Sequence, residues 1–308
     1  MTAPLWTRRR AVRLAAAPLL APLLGCGAGE EAPAPVAGTL EWALANPARI
    51  DRERDRFRHP YESLRFWGLE PGMTVLEIYP GIGWWTSILA PYLARNSGAL
   101  IVAEWQRRSA TPAQLETMQA FSARFADEER FGRITRVELS PATGPLAPPA
   151  SVDFALIARN VHTFMAAGFV EKAFQDIAAA LKVGGVLGVE EHRAASTGVQ
   201  DPLARNGYVQ EAYVRALADE TGFDFVAATD INANPNDDRD HPFGVWTLPP
   251  TLRTAPLGQP PNPDFDQAPY QAIGESDRMT LKFRKRAPGA VSDDLTLDLA
   301  LPPDQQGQ

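Results

Sequence analysis

The chain carries four histidines, at 59, 162, 192 and 241, and two of them stand beside acids: His192 follows Glu190-Glu191, and His241 follows Asp240. An imidazole titrates near neutral pH, so a well-placed histidine can take a proton from a hydroxyl or an amine. His162, His192 and Glu191 are therefore the candidate catalytic residues, with Arg159 and Asn160 beside them as groups that could orient a substrate. The same side chains allow a second chemistry. His162, His192, His241 and a carboxylate could ligate Zn²⁺ or a similar ion. No H-E-x-x-H or other close metal spacing occurs, so no metal ligand is assigned. The plain alternative is that each histidine is a surface or half-buried residue with an ordinary partner.

A second group suits a ligand that contains a nucleoside. The run Val75-Leu76-Glu77-Ile78-Tyr79-Pro80-Gly81-Ile82-Gly83 leads directly into a helical pattern. Glycines at such a turn let backbone approach a ligand and present helix N-terminal amides to a carboxylate or phosphate. Glu104 lies at the distance, about 20 residues on, where an acid would take ribose hydroxyls. Trp84-Trp85 could stack on an adenine or equally pack on the sheet, and Phe66-Trp67 reads as a lid on the core. A tight turn plus one solvated carboxylate is the bland reading of the same residues.

These side chains need elements to hold them. Pro47 and Pro60 divide a helix-like stretch from Leu40 to Phe66. Strand patterns at Met73–Tyr79, Ala99–Glu104, Ile134–Leu139, Val152–Ala158 and Gly185–Glu190 then alternate with helical ones at Trp84–Leu93, Pro112–Phe125, about 168–181 and Val209–Thr221. Two further strands, Phe223–Ile231 and Met279–Arg286, are joined by a long loop. Short buried strands separated by helices predict an α/β, Rossmann-like fold, a mostly parallel seven-stranded sheet with helices on both faces. The last two strands suit an antiparallel hairpin at its edge. That puts His162 after the fourth strand and His192 after the fifth, on one face. The Arg-rich run 49–58 alternates sign and reads as a salt-bridged, exposed helix.

The motif Val75-Leu-Glu-Ile-x-x-Gly-x-Gly83, with Glu104, Asp153 and Lys182-Val-Gly-Gly185, resembles class I S-adenosylmethionine-dependent methyltransferases. More narrowly, His59–Gly68, Glu77–Trp85, Asn160–His162, Glu191–Ala194, Asp201–Ala204, Asp240–Pro249 and Asp277–Arg284 resemble an exported bacterial group of predicted methyltransferases. The resemblance implies S-adenosylmethionine as cofactor, with Glu77, Gly81 and Gly83 in the first cofactor motif, Glu104 on the ribose and Asp153 in the fourth-strand motif. The first of the motif's three alternating glycines falls on Tyr79. The function implied is methyl transfer to a small-molecule acceptor. The alternatives are a non-catalytic or differently liganded envelope lipoprotein on the same scaffold and, third, a metal-dependent hydrolase.

Residues 1–25 have the form of a lipoprotein signal peptide: Arg8-Arg9-Arg10, a short apolar run, then Leu23-Leu24-Gly25-Cys26. Cys26 is the only cysteine, which excludes a disulfide within one copy. The expectation is a lipid anchor at Cys26 on the periplasmic side of the envelope, a linker over 26–38, one domain over 39–286 and a disordered tail over 287–308. The net charge is −7, and the signal segment holds four arginines and no acid, so the remainder is more acidic still. That balance argues against nucleic acid as a partner.

Overall fold

The computed structural model describes residues 34–49 and 51–290. The signal segment 1–25, Cys26, most of the linker and residues 291–308 of the tail lie outside them. Leu40–Ala45 (α1) starts on Thr39, whose hydroxyl accepts the Trp42 amide. After a 3-10 turn at Arg52–Arg54 come two short helices, Asp55–Arg58 (α2) and Pro60–Trp67 (α3), parted by His59 in the left-handed region. The alternation follows: Thr74–Ile78 (β1), Thr86–Arg95 (α4), Ala99–Trp105 (β2), Pro112–Arg124 (α5), Glu128–Phe131 (α6), Ile134–Leu139 (β3) and Val152–Ala158 (β4). Val161–Ala166 (α7), Val170–Ala180 (α8), Leu181–His192 (β5), Glu211–Glu220 (α9), Phe223–Thr229 (β6), Ala268–Ile273 (α10) and Arg278–Lys285 (β7) complete it.

The seven strands form one sheet in the order β3-β2-β1-β4-β5-β7-β6, and only β7 runs against its neighbours. Five parallel strands, four of them followed by helices, closed by an antiparallel pair fit the class I methyltransferase plan. Side chains alternate across the sheet as a strand requires. Leu76, Ala155 and Ile157 face the core under α8 and α9, while Val75, Phe154 and Leu156 face the one under α3, α4 and α5. The helices follow from local signals: Thr111 and Gln114 close a capping box on α5, with Pro112 at its first position. α8 has no side-chain cap, a lack worth about 1 kcal/mol. Buried Phe174 and Ile177, at roughly 1.5–3 kcal/mol each, outweigh it.

Three expectations change. The helix after β4 arrives earlier, as α7, so Asn160 and His162 sit at a helix start rather than in a loop. β5 begins at Leu181, which takes Lys182-Val-Gly-Gly185 into the strand. The Arg-rich run is not an exposed helix: it breaks at left-handed Asp51 and His59 and turns Arg49 and Arg58 inward, 5% and 0% exposed. The long segment between β6 and β7 folds back over the carboxyl edge of the sheet through a 3-10 turn at Gly244–Thr247 and then α10. Asp277 pins it, accepting from Arg193 Nε at 3.0 Å and Nη2 at 2.9 Å, from the Asn234 amide at 2.9 Å, and from Arg239.

Candidate functional site

Strand order reverses between β1 and β4, and in open α/β sheets a crevice opens beyond the carboxyl ends at that point. Each of these strands is followed by a non-glycine residue at positive φ, Tyr79 at +47° and Arg159 at +57°. Side-chain-bearing residues hold that backbone at a cost of order 1–3 kcal/mol, and such strain gathers where ligands bind. Between them lies a cavity of about 270 Å³ whose walls include Glu77, Trp84, Trp85, Arg159, His162, His192, Trp246 and Glu275.

Two imidazoles and one carboxylate meet at its rear wall. His162 Nδ1 donates to Glu191 Oε1 at 2.9 Å, and Glu191 Oε2 accepts the Val161 amide at 2.6 Å. A fully buried carboxylate so surrounded is an acceptor, which fixes the proton on Nδ1 and leaves Nε2 with the lone pair. His192 Nδ1 lies 2.5 Å from Ser276 Oγ, and the two imidazole centroids are 5.3 Å apart. Burial pushes His192 well below its ordinary pKa, and the guanidiniums of Arg159, Arg278 and Arg58 push it further. One ligand atom each from His162, Glu191 and His192 falls within 4.8 Å of the others. His241 joins a different group: its Nε2 contacts Asp237 Oδ1 at 2.8 Å, and Tyr208 stands between it and His192. The three-histidine ligand set is therefore not assembled.

Glu275 lines the cavity as well, and a cluster of arginines stands behind it. Glu275 accepts Arg54 Nε at 2.7 Å, Arg58 Nε at 3.0 Å and Arg278 Nη1 at 2.6 Å, while Arg278 Nε faces Glu190 Oε1 at 3.1 Å. Burial alone would raise the Glu275 carboxyl, but Arg58, Arg278, Arg159 and Arg54 outweigh it and hold it far below the usual carboxylate range. Arg58 lies over Trp84, its Cζ 4.7 Å from the ring, and its Nη1 and Nη2 have no hydrogen-bond partner among the described residues. Glu77, on the floor, accepts the Thr86 hydroxyl at 2.7 Å, and burial lifts its pKa to about 7 against that bond.

The other half of the crevice is filled. Tyr79 donates its hydroxyl to the Leu139 carbonyl at 2.7 Å, and its ring centroid lies 5.0 Å from Trp105 and 5.1 Å from Phe164. The phenol thus runs from the end of β1 past β2 to the end of β3, across the ground that a ribose on Glu104 would occupy. Glu104, 4% exposed, gives its carboxylate to Arg136 Nε at 2.5 Å. A cavity of about 270 Å³ also falls below the roughly 300–1,000 Å³ of pockets for drug-sized ligands. In this arrangement the Glu104 carboxylate is paired and the Tyr79 hydroxyl is bonded to backbone, so neither is free to meet a ribose.

Of the residues singled out from sequence, His162, His192, Glu77 and Gly81 border the cavity, and Glu191 backs His162. Asp153 is not brought there. It sits at the opposite, amino edge, where Oδ2 accepts the Thr74 amide at 2.9 Å and Oδ1 takes Lys182 at 2.5 Å. Gly83 faces protein rather than ligand: a Cβ there would lie 2.2 Å from Phe125. His59 meets Asn232 at 3.2 Å. Sequence reasoning missed Arg58, Glu275, Arg278 and Ser276; Arg58 and Glu275 pair across 217 positions, and no local spacing announces that.

No protein-family model and no curated protein sequence matches the chain. Among solved structures, the [4+2]-cyclase SpnF matches with a TM-score of 0.53 at 15% identity, over 79% of this chain and 86% of that one. A SAM dependent methyltransferase from Aquifex aeolicus matches with 0.46 at 16% identity, over 63% and 93%. CrArsM, an arsenic (III) S-adenosylmethionine methyltransferase from Chlamydomonas reinhardtii, matches with 0.45 at 17% identity, over 84% and 77%. The neighbours include S-adenosylmethionine-dependent methyltransferases, and the likeness is one of fold. A cyclase stands among them, so the fold does not name the reaction.

Proposed function

We propose that this protein uses the methyltransferase scaffold to hold a small molecule other than S-adenosylmethionine, with His162 exchanging a proton with it. The observation that carries this reading is Tyr79, whose ring takes the nucleoside half of the crevice and whose hydroxyl is bonded to Leu139. What stays open is walled by groups suited to proton transfer: His162, oriented through Nδ1 by buried Glu191, keeps Nε2 free as a base. No nucleic acid belongs in this reading. A lipid anchor at Cys26 would fix the domain to the periplasmic side of the envelope, as in the exported bacterial group it resembles, away from cofactor made in the cytoplasm. Palmitate labelling lost in Cys26→Ser tests that part.

A second reading, S-adenosylmethionine-dependent transfer to a small acceptor, is favoured by one observation: Gly81, at φ +60°, has open space where its Cβ would point. Calorimetric titration of S-adenosylmethionine and S-adenosylhomocysteine into the purified protein separates the two. Absence of heat, from protein shown to be folded, is the expected result. Micromolar binding that disappears in Glu104→Ala would restore the methyltransferase.

A further inference from the structure

We propose that the cavity receives a small carboxylic acid, its carboxylate taken by Arg159 at the end of β4 and its apolar body laid against Trp84 and Trp246. This rests on the reading that the cavity serves something other than S-adenosylmethionine, and it names the class of that ligand.

Four guanidiniums, those of Arg54, Arg58, Arg159 and Arg278, converge on two carboxylates, Glu275 and Glu190. Arg54, Arg58 and Arg278 make their ion pairs with those two acids. Arg159 makes no side-chain hydrogen bond or ion pair among the described residues, and its Nε is buried without a partner. A guanidinium presents a planar fork of donors that matches a carboxylate, and leaving such donors buried and unpaired is costly. The remaining acids are already engaged, Glu191 by His162 and the Val161 amide, Glu77 by the Thr86 hydroxyl.

The surroundings decide the sign and the size of the guest. The guanidiniums of Arg159, Arg278 and Arg58 also act on His192, so the field there favours an anion over the metal ion that His162, Glu191 and His192 could otherwise approach. A dianionic phosphate would meet Glu190 and Glu275 nearby, whereas one carboxylate leaves them tolerable. Indole walls at Trp84 and Trp246 and the ring of Pro249 suit an apolar body, and about 270 Å³ keeps it small.

The test uses two probes of one shape, phenylacetate and phenylacetamide, titrated into the full chain and followed by tryptophan fluorescence. Phenylacetate should bind saturably, and phenylacetamide about tenfold or more weakly, as loss of a charge-assisted hydrogen bond predicts. In Arg159→Gln the acid should fall to the affinity of the amide while the amide is unchanged; Arg159→Lys should retain part of the preference. Circular dichroism checks the fold of both variants, and if they do not fold the acid–amide comparison on the unsubstituted protein decides. Equal binding of the two probes, or binding of neither, overturns the proposal. Heat from S-adenosylmethionine would instead overturn the function it rests on, so the two failures are told apart.

Discussion

At the ends of β1, β2 and β3, the rings of Tyr79, Trp105 and Phe164 pack on one another, Glu104 pairs with Arg136, and the phenol is bonded to backbone, while Trp105 Nε1 is buried without a partner among the described residues. At the ends of β4 and β5 the same crevice keeps a cavity, and nitrogens of Arg58, Arg159 and Trp85 have no partner among the described residues. Both halves derive from one strand reversal, yet one is filled by packed rings and an ion pair, and the other keeps a cavity beside guanidinium nitrogens without a partner among the described residues. A fold fixes where a ligand can sit; side chains decide which part of that ground is still open.

The comparison can be broken most severely at Arg278, which is 1% exposed and joins Glu190 to Glu275. Arg278→Met leaves buried Glu190 without its ion-pair partner, and urea unfolding should show a loss of about 3–5 kcal/mol. A loss under 1 kcal/mol would mean that the charges of the open half are not under tension. Next comes Tyr79→Gly, which empties the closed half. Removing the ring should cost about 2–4 kcal/mol, because the usual penalty for deleting a buried aromatic is partly offset by relief at φ +47°. The same variant should gain measurable affinity for adenosine in calorimetry, and failure to do so would mean that the ring is not what bars the nucleoside.

Glu77 sharpens the picture through pH. The folded chain keeps this proton up to about pH 7, whereas the unfolded chain loses it near 4.5. Stability should therefore fall as pH rises across that window, by up to about 3 kcal/mol, and then level off. Glu77→Gln should flatten that slope in urea titrations run at several pH values. The smallest effect belongs to Asp153, at the amino edge. Asp153→Asn should cost under about 1 kcal/mol and leave phenylacetate binding unchanged. A change in binding would tie the two edges of the sheet together.

The fold was largely readable from the chain because strand burial and helix caps are local signals. Thr111-Pro112 announced α5, and the buried run Val152–Ala158 announced β4. The rear wall was readable in part, since His162 and His192 each follow a strand and parallel strands bring such ends together. The arginine cluster behind Glu275 was not. Alternating Arg and Asp over 49–58 looks like a solvated face at any helical spacing, and only left-handed Asp51 and His59 turn it inward. Glu104 and Asp153 show the converse: each has the expected residue type, but Arg136 takes one and the amino edge of the sheet holds the other.

Gly83 carries a wider consequence. With φ at +86° and Phe125 Cε2 at 2.2 Å from any added Cβ, the position is compulsory for reasons wholly internal to the protein. A side chain there would have to displace the rings of Phe125 and Phe121, so the helix behind the turn sets the residue at this position whatever the cavity holds. A glycine motif of this kind therefore testifies to packing at this position and not, by itself, to a ligand.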